Sequence, residues 1–183
     1  MRTVKDVMVP LAEYATVSED ATLYEAVSAL EEAQKKLDHS QYRHRAVLIY
    51  GSNGQIVGKV SQLDILRALE PKYNDIEAAK SVSRFGFSKQ FLKNMFHQFR
   101  LWDEPLAAIC RKAGKWKVKT FMYTPTEGEY VDQSASLNEA IHQLVMGHHQ
   151  SLLVVGNKEI VGILRLTDVF KEICRMIKSC EES

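Results

Sequence analysis

The chain has 183 residues, 45% hydrophobic and 26% charged, with a formal net charge of +1. That length suffices for one large domain or two small ones sharing a core, and the near-neutral charge gives no global reason to expect nucleic acid as a partner. Charges interrupt the apolar run at the N-terminus and no span approaches the roughly 20 apolar residues of a membrane helix, so a cytoplasmic protein with neither secretory signal nor membrane span is expected.

The first recognisable element is Val4-Lys5-Asp6-Val7-Met8. Thr22 and Glu25 then form a capping box, in which the hydroxyl accepts from a free amide of the first helical turn while the carboxylate reaches back. Leu23, Ala26, Val27 and Leu30 recur at the spacing of a one-sided helix. A polar stretch from Lys35 to Arg43 leads to a strand, Ala46 to Tyr50, a turn at Gly51-Ser52-Asn53-Gly54 and a returning strand, Gln55 to Val60, which together predict a hairpin. A second apolar helix runs from Leu63 to Leu69.

The 47 residues from Pro71 to Lys117 are too many for a simple linker. Phe91, Leu92, Met95, Phe96 and Phe99 make a helical stripe, with Phe85, Phe87 and Trp102 around it. Asp103, Pro105 and Gly114 punctuate a short helix, Leu106 to Ala113, as N-cap, early proline and C-terminal glycine. These helices are expected to cover the rest of the protein or build a dimer interface; a partner-binding aromatic surface is the sharper alternative. Lys112, Lys115, Lys117 and Lys119, interleaved with Trp116, read as a solvated linker rather than a nucleic-acid contact.

Everything before this middle segment then recurs. Val118-Lys119-Thr120-Phe121-Met122 and Ser136-Leu137-Asn138-Glu139-Ala140-Ile141 repeat the opening elements at an offset of 114 residues. A second hairpin, Ser151 to Val155 and Glu159 to Leu164 around Gly156-Asn157-Lys158, follows at 105 and then 104. GKVSQLDIL, Gly58 to Leu66, reappears as GILRLTDVF, Gly162 to Phe170. The first copy carries nine extra residues within Lys35 to Arg43, and insertions at loops are what a repeat tolerates. Each unit reads as short strand, helix, strand, strand, helix. Units this small bury little alone, so two are expected to pack face to face around an approximate twofold axis.

Ser61 and Asp64 sit at a strand-to-helix junction. A carboxylate there can accept both hydroxyls of a ribose, beside amides suited to phosphate oxygens. The same S-x-x-D also reads as an acidic capping box, and both readings stand. Arg45, before the first hairpin strand, offers a forked guanidinium for phosphate or is a solvated cation at a loop end. In the second copy Gln150 replaces Arg45 and Arg165 replaces Ser61, while Asp168 is retained. Arg165 admits three roles: phosphate ligand, ion-pair partner of Asp168, or filler of the cleft, with the ion pair favoured. His39, His44, His148 and His149 lack the helical spacing of a metal pair and are expected at the surface. Cys110, Cys174 and Cys180 fit neither a disulfide framework nor zinc spacings. No nucleophile elbow, P-loop or zinc-protease motif occurs, so no enzyme is expected.

The ordered set resembles a tandem pair of cystathionine-β-synthase-type (CBS) domains. The resemblance rests on V-K-x-x-M at each start, the threonine or serine before L-x-E-A, the hairpin with its glycine, and the trailing aspartate. It implies an α/β fold of two β-α-β-β-α repeats around a pseudo-twofold axis with a long helical insert. The units would be a first CBS domain at 1–70, a connecting segment at 71–116, a second CBS domain at 117–178 and a flexible tail at 179–183. By resemblance, the chain is a regulatory module that binds AMP, ADP or ATP, or S-adenosylmethionine, dimerises, and signals occupancy to an unidentified regulated protein. Ser61, Asp64 and Arg45 match the nucleotide-binding pattern, although the proline common beside Arg45 is missing; Asp168 and Arg165 mark an altered second cleft. The competing reading is a structural or protein-interaction module with no small ligand.

Overall fold

The computed structural model describes residues 2–37, 41–79 and 87–181. His39, Phe85 and the Cys180 side chain lie outside what it describes. In chain order the elements are β1 (Val9–Pro10), β2 (Thr16–Ser18), α1 (Leu23–Lys35), β3 (Ala46–Tyr50), β4 (Ile56–Ser61), α2 (Gln62–Ala68), α3 (Lys72–Ala79), α4 (Lys89–Gln98), α5 (Leu106–Ala113), β5 (Tyr130–Asp132), α6 (Leu137–Gly147), β6 (Ser151–Gly156), β7 (Glu159–Arg165) and α7 (Leu166–Glu181).

Local chemistry starts the two repeated helices in the same way. The Thr22 hydroxyl accepts from the Glu25 amide at 3.2 Å and the Glu25 carboxylate accepts from the Thr22 amide at 2.6 Å, so α1 opens with a complete capping box. Ser136 likewise accepts from the Glu139 amide at 3.2 Å to open α6. Behind each helix lies an antiparallel hairpin, β3 with β4 and β6 with β7, joined by a parallel strand, β2 on β3 and β5 on β6. Both hairpins shift register at equivalent places, between Ile49 and Tyr50 and between Val154 and Val155. The parallel strands of three residues each are too short to declare a period of two in the sequence.

The order of each unit is the expected one, β2-α1-β3-β4-α2 and β5-α6-β6-β7-α7, with the V-K-x-x-M segment standing ahead of it. The V-K-x-x-M segments form 3₁₀ turns, and each one packs on the other unit. The Val4 and Lys5 amides donate to the Ala135 and Gln133 carbonyls at 3.0 Å, and the Leu137 amide donates to the Arg2 carbonyl. In mirror fashion the Val118 amide donates to the Ala21 carbonyl at 2.9 Å and the Leu23 amide to the Trp116 carbonyl at 2.8 Å. Val4 is fully buried in the core of Val131, Leu137, Leu152 and Leu164, and Val118 in that of Val17, Ala26, Val47 and Ile49. β1 then joins the second sheet, giving the order β1-β7-β6-β5 beside β2-β3-β4. Each unit thus obtains an apolar plug that its own length does not supply. Between the sheets, Tyr14, Leu48, Leu153 and Ile163 form a shared core.

In the middle segment α5 buries Ile109 and Ala113 against Leu23 and Leu69. Asp103 is not its N-cap, a position held by Pro105; Asp103 instead pairs with Arg100 at 3.0 Å. Several cations of the basic run turn back to the chain: Lys112 binds Glu104, and Lys117 and Lys119 bind the Asp20 carbonyl and carboxylate.

Candidate functional site

The strand β4 ends at Ser61, whose hydroxyl caps α2. Its Oγ accepts from the Asp64 amide at 3.1 Å and donates to Asp64 Oδ2 at 2.6 Å, and the Ser61 amide donates to the same oxygen at 2.8 Å. The capping box read from the sequence is therefore real. Both contacts from Ser61 to the carboxylate fall on Oδ2.

This junction borders a cavity of about 540 Å³ between the two units, lined also by Arg45 and Arg165. Four of the five candidate residues thus share one cleft. Its lining holds five lysines and arginines against two carboxylates, Asp64 and Glu129, with His148 and His149 at its edge. Asp168 faces a second cavity of about 400 Å³, where four lysines and arginines meet four carboxylates. By residue type the first lining is richer in cations than in acids and the second holds equal numbers, with Arg165 common to both.

Arg165 lines both cavities and is committed. Its guanidinium grips Asp168 with two nitrogens, Nη2 to Oδ1 at 2.8 Å and Nε to Oδ2, in the forked arrangement suited to a carboxylate. Nη1 donates to the Tyr42 carbonyl at 2.9 Å and meets His44 Nδ1 at 3.0 Å. An arginine only donates, so His44 Nδ1 accepts and the ring proton sits on Nε2. His44 is 1% exposed, stacked edge-on against Tyr14, and is not the surface histidine expected. Burial, followed by the Arg165 charge, pushes its pKa down. The longer connection of the first copy thus delivers Tyr42 and His44 to the second copy's arginine.

Three further residues on the first cleft's wall escaped the sequence reading. Lys59 pairs with Glu129 at 3.0 Å, the Tyr123 hydroxyl donates to Glu129 at 2.6 Å, and the lysine stands 5.4 Å from the Tyr123 ring centre. Burial favours the neutral Glu129 carboxyl, but the Tyr123 hydroxyl, the Thr126 amide and Lys59 outweigh it and hold the pKa at about 2. The Tyr123 phenol is pushed up to about 12 by its hydrogen bond to that carboxylate. Strand register places Val9 opposite Ile163 just as Tyr123 lies opposite Lys59. The pseudo-symmetric positions are therefore Ile163, Val9 and Ala15, of which only Val9 lines the second cavity while Ile163 and Ala15 are buried in cores. A signal existed in the repeat itself: Gly58-Lys59-Val60 against Gly162-Ile163-Leu164 puts a cation where the copy is apolar. Among the described residues no group of histidines, cysteines and carboxylates is arranged to hold a metal ion, and no helix is long and apolar enough to cross a membrane.

Two interlocked α/β units with a cleft on either side define a tandem repeat protein. The CBS domain family model matches residues 4–71 and 118–175, and the chain belongs to that family. Solved structures share the fold at low identity. CBSX2 in complex with AMP is 21% identical with a TM-score of 0.58, covering 96% of this chain and 98% of that one. A CBS domain-containing protein of unknown function from Bacillus anthracis is 15% identical with a TM-score of 0.62, covering 96% and 94%. Another from Kribbella flavida is 18% identical with a TM-score of 0.58, covering 94% and 98%. A sequence search of curated proteins finds no significant match.

Proposed function

We propose that the chain is a cytoplasmic regulatory module, not an enzyme, that holds one adenine nucleotide in the cleft of Ser61, Asp64 and Arg45. The observation that carries this reading is the contrast between the clefts: in one Arg45 lines the wall beside Asp64, whose contacts from Ser61 both fall on Oδ2, while in the other Asp168 is gripped on both oxygens by Arg165. CBS domains generally bind adenine nucleotides in a regulatory role, which supports AMP, ADP or ATP as the ligand, with S-adenosylmethionine as a further candidate. Asp64 accepts the ribose hydroxyls and Arg45 meets the phosphates. Calorimetric titration with these four compounds tests the proposal. One site per chain is expected, lost in Asp64→Ala and retained in Asp168→Ala; heat from none of the four compounds rejects it.

The Ser61–Asp64 capping box favours a second reading, a structural or interaction module without a ligand. A thermal-shift screen separates the two, because a ligand at a hundred times its dissociation constant adds about 2.7 kcal/mol of stability.

Occupancy is passed to a regulated protein through a homodimer. Leu66 on α2 and Phe170 and Ile177 on α7 are large, apolar and exposed, which supports burial of these helices against a second copy. Phe170→Glu is expected to halve the molar mass measured by light scattering without changing the helical circular dichroism. A parent protein that already runs as a monomer rejects the dimer.

A further inference from the structure

α4 carries chemistry that neither cleft uses. From Ala78 to Trp102 the chain holds no aspartate or glutamate, yet it holds Lys80, Arg84, Lys89, Lys93 and Arg100, although the whole molecule is nearly neutral. Helical spacing places Phe91, Leu92 and Phe96 on one side of α4, with Lys89 and Lys93 along its flank. Leu92 is 51% and Phe96 45% exposed, and Phe87, stacked on Phe91 at 5.1 Å, is 41% exposed. Every residue of α4 except Met95 is exposed.

The C-terminal end of the helix is nonetheless held firmly. The Trp102 amide donates to Glu70 at 2.6 Å and its indole to the Tyr73 hydroxyl at 3.1 Å, while Lys72 binds the Arg100 carbonyl. Arg100 and Trp102 sit at φ of 49° and 61°, a region that bulky side chains rarely adopt. Contacts on both sides over-determine this backbone, as strain of this kind requires. The anchor fixes a helix whose own apolar surface faces outward.

Ten residues make a helix too short to persist in water on its own hydrogen bonds, so packing must support it. Its occupant has to cover aromatic rings and offer negative charge to a segment with no acid of its own. A membrane carrying anionic lipid does both: aromatic rings settle at the head-group level, and each nearby lysine is drawn to the negative surface. The absence of a spanning helix among the described residues makes this a contact in the plane of the surface. We propose that α4 docks the protein onto an anionic membrane, with Leu92 and Phe96 entering the head-group layer and Lys89 and Lys93 meeting lipid phosphates.

Flotation of the full chain with phosphatidylcholine vesicles, with and without phosphatidylserine, tests this. The protein is expected to float with the anionic vesicles only, and less well as salt is raised. Lys89→Ala with Lys93→Ala should lower the partition coefficient about twenty-fivefold, at about fivefold per lysine. Leu92→Ser with Phe96→Ser should abolish flotation, with both double variants keeping the parent's thermal transition. Equal flotation with neutral vesicles, or flotation with neither, overturns the proposal. So does a fall in oligomeric mass for Leu92→Ser with Phe96→Ser in a protein that ignores vesicles, which would assign the face to a second copy.

Discussion

Glu129→Ala should destabilise the protein by about 3–5 kcal/mol, the usual consequence of stripping one partner from a buried ion pair. Lys59 is 14% exposed and Glu129 4%, so the remaining ammonium has little water to turn to. The Tyr123 hydroxyl and the Thr126 amide lose their acceptor in the same step. Urea denaturation at neutral pH measures the loss, and the double variant Lys59→Ile, Glu129→Ala gives the comparison that matters. It installs the apolar pair found at the pseudo-symmetric positions, Ile163 and Ala15, which are buried, and should recover much of the stability. The pH dependence has a fixed sign. Glu129 titrates at about 2 in the folded protein against 4.5 as a reference carboxyl. Its contribution is therefore present above pH 4.5 and disappears as pH falls through that window toward 2. The slope of stability against pH there should be shallower in Glu129→Ala than in the parent; equal slopes would refute the assignment.

Gly162→Ala should cost about 1–3 kcal/mol, lowering the thermal midpoint by about 2–4 °C for each kcal/mol. A methyl at this position would stand 2.5 Å from the Val9 carbonyl oxygen, a backbone atom that moves only if β1 moves. At the equivalent Gly58 the nearest atom is the flexible Met122 thioether, at 2.8 Å, with the Tyr123 carbonyl at 3.0 Å. Gly58→Ala should therefore be the milder change. Calorimetric scans of the two variants check the order, and a harsher effect at Gly58 would contradict it.

The two glycines also show where the sequence was readable. Each hairpin, its turn and its helices were visible because periodicity, capping and turn chemistry are local, and β3 appears over the residues expected. The reason for a glycine in each second hairpin strand was not visible, because the backbone segment that crowds it comes from the opposite unit. The same limit hid the cleft wall. Ser61, Asp64, Arg45 and Arg165 could be found within single motifs, whereas Lys59 and Glu129 meet across 70 residues and announce themselves only when the copies are compared position by position. Arg165 was correctly read as a possible partner of Asp168, three residues away. Its contacts to Tyr42 and His44, more than 120 residues distant, required the fold.

The traded leading segments bear on how the chain is made. Val4 leaves the ribosome 131 residues ahead of Ala135, whose carbonyl it must find, so that stretch waits unplaced while the first hairpin and the whole middle segment emerge. Closing such a distant contact is entropically slow. The first unit in turn lacks Val118 until the middle segment is complete. Neither unit can finish from its own residues alone, and β6 and β7, made long after β1, complete the sheet that receives it. A ribosome stalled before Val118 therefore carries a first unit without its plug and a Val4 segment without its core, rather than one finished unit and one still to be made.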